Sequence, residues 1–142
     1  MNIDFGRAVI GGLIGTAVMT MVGLFGAPMM GIPPMNPADM LAGAMGGILM
    51  LGWGAHFMIG VVLALGYALV ESIIPGPGVA RGAIYSIAPY LMAQLVVMPM
   101  MGMPIFSGSA SMAMGSLIGH IVYGAVLGGI YGEVRAERAA AA

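Results

Sequence analysis

Three long stretches of this chain carry no acidic or basic side chain, and they limit its fold more than any other feature. They cover residues 8–38, 40–70 and 82–132. A helix needs roughly 20 apolar residues to cross the ~30 Å hydrocarbon core of a bilayer. Only 6% of the 142 residues are charged, whereas about 25% of a soluble domain is charged. The pattern therefore predicts an integral membrane protein.

The number of membrane crossings follows from where these stretches are interrupted. The third stretch is long enough for two crossings, and it is broken by the proline-rich and serine-rich segments 98–104 and 107–111. Barrel strands would need short alternating segments rather than unbroken apolar runs. The predicted fold class is all-α, a transmembrane four-helix bundle in a single membrane domain over residues 1–142. We place its helices at about 7–27, 46–70, 81–101 and 112–132.

The sequence also repeats a two-helix unit. The segment 28–33 recurs as 99–104, and a His-x3-Gly-x6-Tyr pattern starts at both His56 and His120. These similarities predict one repeat over about 7–70 and a second over about 81–132. Because each unit crosses the membrane twice, both run in the same sense, and a pseudo-two-fold axis along the membrane normal relates them.

Arginine placement predicts the orientation. The four arginines flank the N-terminus, the connection between the second and third helices, and the C-terminus, which lie on one side of a four-span protein. The positive-inside rule makes that side cytoplasmic. We therefore expect a multi-pass protein of the bacterial inner membrane with cytoplasmic N- and C-termini. The chain has no cysteine, no lysine and no basic run, so neither thiol chemistry nor nucleic acid is expected.

Each half carries one histidine between small residues four positions away, which places all three on one helix face. An ionisable side chain this deep in a membrane is a functional candidate. Two imidazoles on facing helices can ligate a haem iron, and small neighbours leave room for the macrocycle. The candidate pocket for haem b or bacteriochlorophyll consists of Gly52, His56, Gly60, Ser116, His120 and Gly124.

The same pattern also fits a helix-packing surface. Small residues at intervals of four let two transmembrane helices approach closely, with a histidine hydrogen bond across the interface. Tyr67 and Tyr131 are then expected to be interfacial anchors of the aromatic belt. Proton or solute handling by the histidines is a third interpretation, and no cofactor is assigned with certainty.

Methionine is unusually abundant, with 17 residues concentrated near the expected outer turns. Thioethers are soft ligands that suit Cu(I). Methionine also fills packing gaps and adaptable contact surfaces, so a surface against another membrane protein is equally consistent. The candidate Cu(I) ligands are Met29, Met30, Met100, Met101 and Met103.

The remaining polar side chains of the spans indicate helix contacts rather than catalysis. Thr16 and Thr20 share one face of the first helix, and Ser86, Tyr90 and Gln94 share one face of the third. We expect these groups to make hydrogen bonds between helices, and Pro89 to kink the third helix. No carboxylate or catalytic triad lies within a span, so an enzyme is not expected.

Together, these features resemble an uncharacterised family of small four-helix bacterial membrane proteins. The resemblance rests on the arginine that opens the first helix, the Met-Met-Gly-x-Pro turn, and the two His-x3-Gly segments that end in tyrosine. It extends from Arg7 to Gly132. The resemblance implies the four-helix topology and does not imply an activity.

These observations favour a small, non-catalytic membrane subunit. Such a chain would pack against and stabilise a larger complex, for example an electron-transfer or energy-converting one, with lipid and other integral membrane subunits as its partners. The alternative is a tetrapyrrole-binding electron-transfer or pigment protein with a bis-histidine centre. A further alternative is methionine-based Cu(I) handling or small-solute transport.

Overall fold

The structure is a computed structural model that describes residues 3–140, with side chains to residue 132. The described part is helical and contains no strand. Four helices are long and apolar enough to cross a membrane, and a shorter helix lies in the first turn. The predicted all-α four-helix class is therefore confirmed, and the protein is a multi-pass membrane protein. The helices are α1 (Phe5–Met29), α2 (Pro37–Ala44), α3 (Leu49–Ile73), α4 (Gly78–Met100) and α5 (Ala110–Ala140).

Side-chain caps set the starts of α1 and α2. The Asp4 carboxylate accepts a hydrogen bond from the backbone N–H of Arg7 at 3.1 Å. Asn36 caps α2 in the same way through the N–H of Ala38, and Pro37 follows at the first helical position. Such caps satisfy backbone donors that have no partner within the helix.

Glycines hold α4 and α5 together. A Cβ on Gly82 would overlap the carbonyl oxygen of Gly124, and a Cβ on Gly128 would overlap the carbonyl oxygen of Gly78. The two backbones are therefore in direct contact. Lipid gives no hydrophobic drive for helices to associate, so close backbone packing supplies much of the attraction between them.

α1 packs between α3 and α5 through small residues of its own. Toward α3, Gly12 lies against Ala64, and Thr16 fills the space that a Cβ on Gly60 would need. Toward α5, Gly15 lies against the ring of Tyr123. The Tyr123 hydroxyl donates a hydrogen bond to the Gly60 carbonyl, which ties α5 to α3.

We call the two ends of the bundle the arginine side, where Arg7 and Arg81 lie, and the turn side, where α1 turns toward α2 and α4 toward α5. Tyr67 and Tyr131 lie toward the arginine side with ring centroids 5.7 Å apart. They are only 0% and 8% exposed and belong to the core. The expectation that they anchor the lipid interface is therefore wrong, because their rings fill the space between helices.

The chain makes the same backbone turn at the ends of α1 and α4. Each helix widens into a π-helical segment, Val22–Gly26 in α1 and Ala93–Val97 in α4. A proline follows in each case, Pro28 or Pro99, and then a glycine with φ near +75°. Because a proline ring clashes with the carbonyl four residues earlier, the wider turn makes room for it. This recurrence of backbone geometry supports the proposed repeat.

α4 is interrupted near its middle, as Pro89 predicts. The α-helix ends at Tyr85 and resumes at Ile87, with Ser86 between the two parts. Pro89 has no N–H to donate to Tyr85, and its ring displaces that carbonyl. The Ser86 hydroxyl donates to the Ala83 carbonyl at 2.7 Å.

Candidate functional site

A cavity of about 420 Å³ lies between the spans near the turn side. α1, α3, α4 and α5 form its walls, and α2 with its cap contributes Asn36, Pro37, Met40 and Leu41 at its outer end. Its size is within the range of small-molecule and cofactor sites. Both histidines line it, one from each half of the chain, so the structure places the two predicted ligands at a common space.

The hydrogen bonds of Thr20 fix the tautomer of His56. The Thr20 hydroxyl lies 2.7 Å from the Thr16 carbonyl and 2.9 Å from His56 Nε2. The Thr20 hydroxyl donates its one hydrogen to that carbonyl, so toward His56 it can only accept. His56 Nε2 must then carry the proton shared with Thr20, which leaves Nδ1 as an unprotonated nitrogen. No described residue makes a hydrogen bond with this Nδ1 atom.

His120 has the opposite tautomer. Its Nδ1 lies 2.8 Å from the backbone carbonyl of Ser116, one turn earlier on α5. Because that carbonyl is only an acceptor, Nδ1 carries the proton and Nε2 holds a free lone pair. The ring of Tyr90 meets the imidazole edge to face at 5.6 Å and helps to fix its orientation.

Both histidines are therefore arranged as metal-ligating histidines usually are. Such residues donate their second N–H to a carbonyl, carboxylate or hydroxyl, which orients the ring and fixes the ligating nitrogen. Here the donors are Nε2 of His56 and Nδ1 of His120, and the other two nitrogens have no hydrogen-bond partner among the described residues. A ligand that needs a hydrogen-bond donor, such as a carbonyl oxygen, finds none on these neutral rings.

The small residues of the predicted tetrapyrrole pocket are occupied by helix packing. Gly52 faces the carbonyl of Ala38 in α2, Gly60 faces Thr16, and Gly124 faces Gly82. The hydroxyl of Ser116 accepts a hydrogen bond from Gln94 at 3.0 Å. Gly60 and Ser116 line the cavity beside the histidines. Gly52 and Gly124 therefore leave no room for a macrocycle, and Gly60 alone of the three glycines lines the cavity.

The methionines of the two turns separate into a cavity group and a surface group. Of the predicted Cu(I) ligands, only Met103 lines the cavity, while Met29 and Met100 are 89% and 81% exposed. Sequence proximity grouped these residues, but their side chains leave the turns in different directions. The cavity methionines are Met19, Met35, Met40, Met92, Met98, Met103 and Met112.

A chain of hydrogen bonds through Ser107, Gln94 and Ser116 lies on the His120 side of the cavity. Ser107 donates to the Gln94 carbonyl oxygen at 3.1 Å, and the Gln94 amide donates to Ser116. Ser107 and Phe106 both have positive φ values, 58° and 51°. Non-glycine residues rarely adopt this conformation, and it costs roughly 1–2 kcal/mol each. The predicted hydrogen bonding of Gln94 is confirmed, but nothing in the sequence places Ser107 against it.

The cavity contains no carboxylate ligand. Across the described residues, no three His, Asp or Glu side chains come together in a way that could hold a metal. An ion bound here would take its ligands from the two imidazoles, the thioethers and neutral oxygens.

The fold and cavity define the class of the protein: a four-span membrane protein with a histidine-lined cavity between its spans. The chain belongs to a family described as a family of unknown function (DUF6789), whose model matches residues 3–142. This confirms the resemblance to an uncharacterised family. No curated protein and no solved structure matches the chain.

Proposed function

We propose that the protein is a small, non-catalytic membrane subunit that holds a metal centre in the cavity between its two histidines. The observation that carries the proposal is the state of the two rings. Each has one nitrogen engaged by a protein acceptor and the other without a described partner, and both residues line one cavity. A histidine that only joined two helices would not need to line a shared cavity.

The centre is either a bare ion or the metal of a tetrapyrrole, which is iron in haem b and magnesium in bacteriochlorophyll. Haem b or bacteriochlorophyll has less support, because Gly52 and Gly124 are covered by neighbouring helices and only Gly60 of the three glycines lines the cavity. The described lining also offers no arginine or lysine for the propionates of a haem. Absorption spectroscopy separates the two forms, since a tetrapyrrole gives an intense Soret band and a bare ion does not.

Metal analysis of the protein isolated from its native membranes tests the proposal. We expect about one transition-metal ion per chain in the wild type, and loss of this ion in both His56→Ala and His120→Ala. Gly54→Ala is a matched control on the same helix as His56, because a Cβ there meets no other atom within 4 Å. Equal metal content in the wild type and both histidine variants would overturn the proposal.

A second candidate role is contact with a larger membrane complex. The exposed methionines Met29, Met30 and Met100 favour it, because they occupy corresponding turns of the two halves. Thioether side chains suit adaptable protein contacts. Co-purification from native membranes, with and without the Met29→Ser/Met100→Ser change, tests this role. A partner lost only from the double variant supports it, and recovery of the wild type alone contradicts it.

For the orientation, we propose a bacterial inner membrane with the arginine side in the cytoplasm. Arg7 and Arg81 lie at the starts of α1 and α4 and support this assignment through the positive-inside rule. The chain has no cysteine, so single cysteines can report the side directly. Ser109→Cys should react with an impermeant maleimide added to intact spheroplasts, and Ser72→Cys should not. The reverse labelling pattern would contradict the assignment.

A further inference from the structure

The ligands available in the cavity select among metal ions. Its lining combines two neutral imidazole nitrogens with seven thioether sulfurs and lacks any acidic side chain. Thioethers are soft donors that favour Cu(I), whereas Mg²⁺, Ca²⁺ and Mn²⁺ prefer carboxylate oxygens. The chain also has no thiolate to offer, because it contains no cysteine.

The charge of the ion gives a second, independent reason. In the Born description, the desolvation free energy of an ion in a low-dielectric medium grows with the square of its charge. A divalent ion therefore costs about four times as much as a monovalent ion of the same size in the same cavity. With no anionic ligand in the lining to offset that cost, a monovalent ion is favoured over Zn²⁺ or Fe²⁺.

Two of the thioether side chains from the first half lie against α5, at Gly115 and Gly119. The sulfur of Met35 lies 3.0 Å from the position that a Cβ on Gly115 would occupy. The side chain of Met19 lies against Gly119 in the same way, with its Cγ atom 3.5 Å from the corresponding position. Any larger residue at Gly115 would displace the Met35 sulfur, so this glycine keeps open the space the sulfur uses.

The order of groups along the cavity also indicates a direction of access. Met40 comes from α2, and Met103 comes from the turn after α4, so both belong to the turn side. His56 lies in the second turn of α3, and His120 lies deeper along α5. Thioethers are thus the first ligands that an ion entering from the turn side would meet, and the imidazoles come after them.

From these observations we propose that the cavity binds one Cu(I) ion. The ligands are His56 Nδ1, His120 Nε2 and the thioether sulfurs of Met19 and Met35. This inference rests on the proposed metal-binding function and names the ion. It differs from the methionine set expected from the sequence, of which only Met103 lines the cavity.

Cu(I) titration of the full-length protein in detergent tests the inference. The titration runs anaerobically with a reductant, in competition with a chromogenic Cu(I) chelator. We expect one Cu(I) per chain, and at least a tenfold loss of affinity in Met19→Leu/Met35→Leu. Leucine has nearly the same volume as methionine, so the fold should survive, which a thermal melt would verify. Met29→Leu/Met100→Leu is the matched control and should bind as the wild type does.

The possible results separate this inference from the proposed function. X-ray absorption of the copper-loaded wild type should show both nitrogen and sulfur scatterers. If native protein contains a metal that depends on both histidines but purified protein takes up no Cu(I), the proposed function stands and the copper assignment is wrong. If Cu(I) binds equally to wild type and Met19→Leu/Met35→Leu, the thioether ligands are wrong. If neither native metal nor Cu(I) is found, both proposals fail.

Discussion

The hydroxyl of Thr20 and Nε2 of His56 lie 2.9 Å apart and join α1 to α3 beside the cavity. The Thr20 hydroxyl donates its hydrogen bond to the Thr16 carbonyl, so the histidine is the donor in the contact with Thr20. One threonine therefore determines which nitrogen of His56 is open. Its position on α1, four residues after Thr16, makes this possible because residues four apart lie on one helix face.

Thr20→Val tests this relationship directly. Valine matches the shape of threonine but cannot accept a hydrogen bond from His56 Nε2. The imidazole ring therefore loses the contact that orients it. Loss of such an outer partner typically weakens metal binding by about 10–100-fold, and we expect a loss in this range in Cu(I) competition titrations. Thr20→Ser keeps the hydroxyl and should retain most of the affinity. Equal affinities for the valine and serine variants would show that the hydroxyl has no such role.

Gly60→Ala should destabilise the contact between α1 and α3. Its new Cβ would overlap the Thr16 hydroxyl oxygen and approach the Thr16 Cβ. Overpacking of this kind costs about 1–3 kcal/mol, which a lower midpoint of thermal unfolding in detergent would report. Gly54→Ala on the same helix should leave the midpoint nearly unchanged. Adding Thr16→Ala to Gly60→Ala should recover part of the loss, whereas no recovery would place the strain elsewhere.

Gly124→Ala should be more harmful than Gly60→Ala. The added Cβ would overlap the backbone carbonyl of Gly82, and a backbone group cannot rotate away as a hydroxyl can. We expect a loss above about 2 kcal/mol, toward the upper end of overpacking costs, or failure to fold. Gly129→Ala is the control on α5, since its Cβ would lie at an ordinary 3.4 Å from Val79. Similar melting curves for the two variants would contradict the close contact.

Tyr123→Phe should remove one buried hydrogen bond without changing the packing. The Tyr123 hydroxyl donates to the Gly60 carbonyl, and the side chain is only 3% exposed. Net losses for a single hydrogen bond between membrane helices are about 0.5–1.5 kcal/mol. Chemical unfolding in mixed micelles can resolve a change of this size. Tyr90→Phe is a suitable comparison because the hydroxyl of Tyr90 has no partner among the described residues, and it should cost less.

The ion pair between Glu71 and Arg81 should couple the end of α3 to the start of α4. The two side chains meet at 3.0 Å, with Glu71 largely buried and Arg81 about a quarter exposed. We expect Glu71→Gln and Arg81→Gln each to destabilise by about 1–3 kcal/mol, less than a fully buried pair. A double-mutant cycle measures the coupling. Strictly additive losses would show that the pair contributes nothing of its own.

Much of the fold could be predicted because lipid imposes simple rules. Charge-free length located all four spans, and the predicted bounds of α3, for example, differ from the observed ones by only a few residues. The four predicted helices do not include α2, which lies in the loop before it. Pro89 correctly indicated a break in α4. The π-helical segments before Pro28 and Pro99 were not foreseen, because these prolines looked like turn residues rather than parts of a helix.

The site was harder to predict than the fold. Spacing on one helix identified His56 and His120, and the structure brings both to one cavity. The spacing could not show that Gly60 and Gly124 pack against other helices, since a small residue has the same spacing whether a helix or a cofactor covers it. Nor could it select Met35 over Met29, because side-chain direction in a turn depends on tertiary contacts that have no periodic signal.

The two histidines are oriented by different groups, so the two sides of the cavity are not equivalent. Two identical halves would offer the same ring nitrogen from each side, and a bound ion could not distinguish them. This chain offers Nδ1 from His56, held by a hydroxyl, and Nε2 from His120, held by a backbone carbonyl. The two sides of the cavity are thus unequal, because a side chain that a point mutation can remove orients His56, whereas the helix backbone itself orients His120.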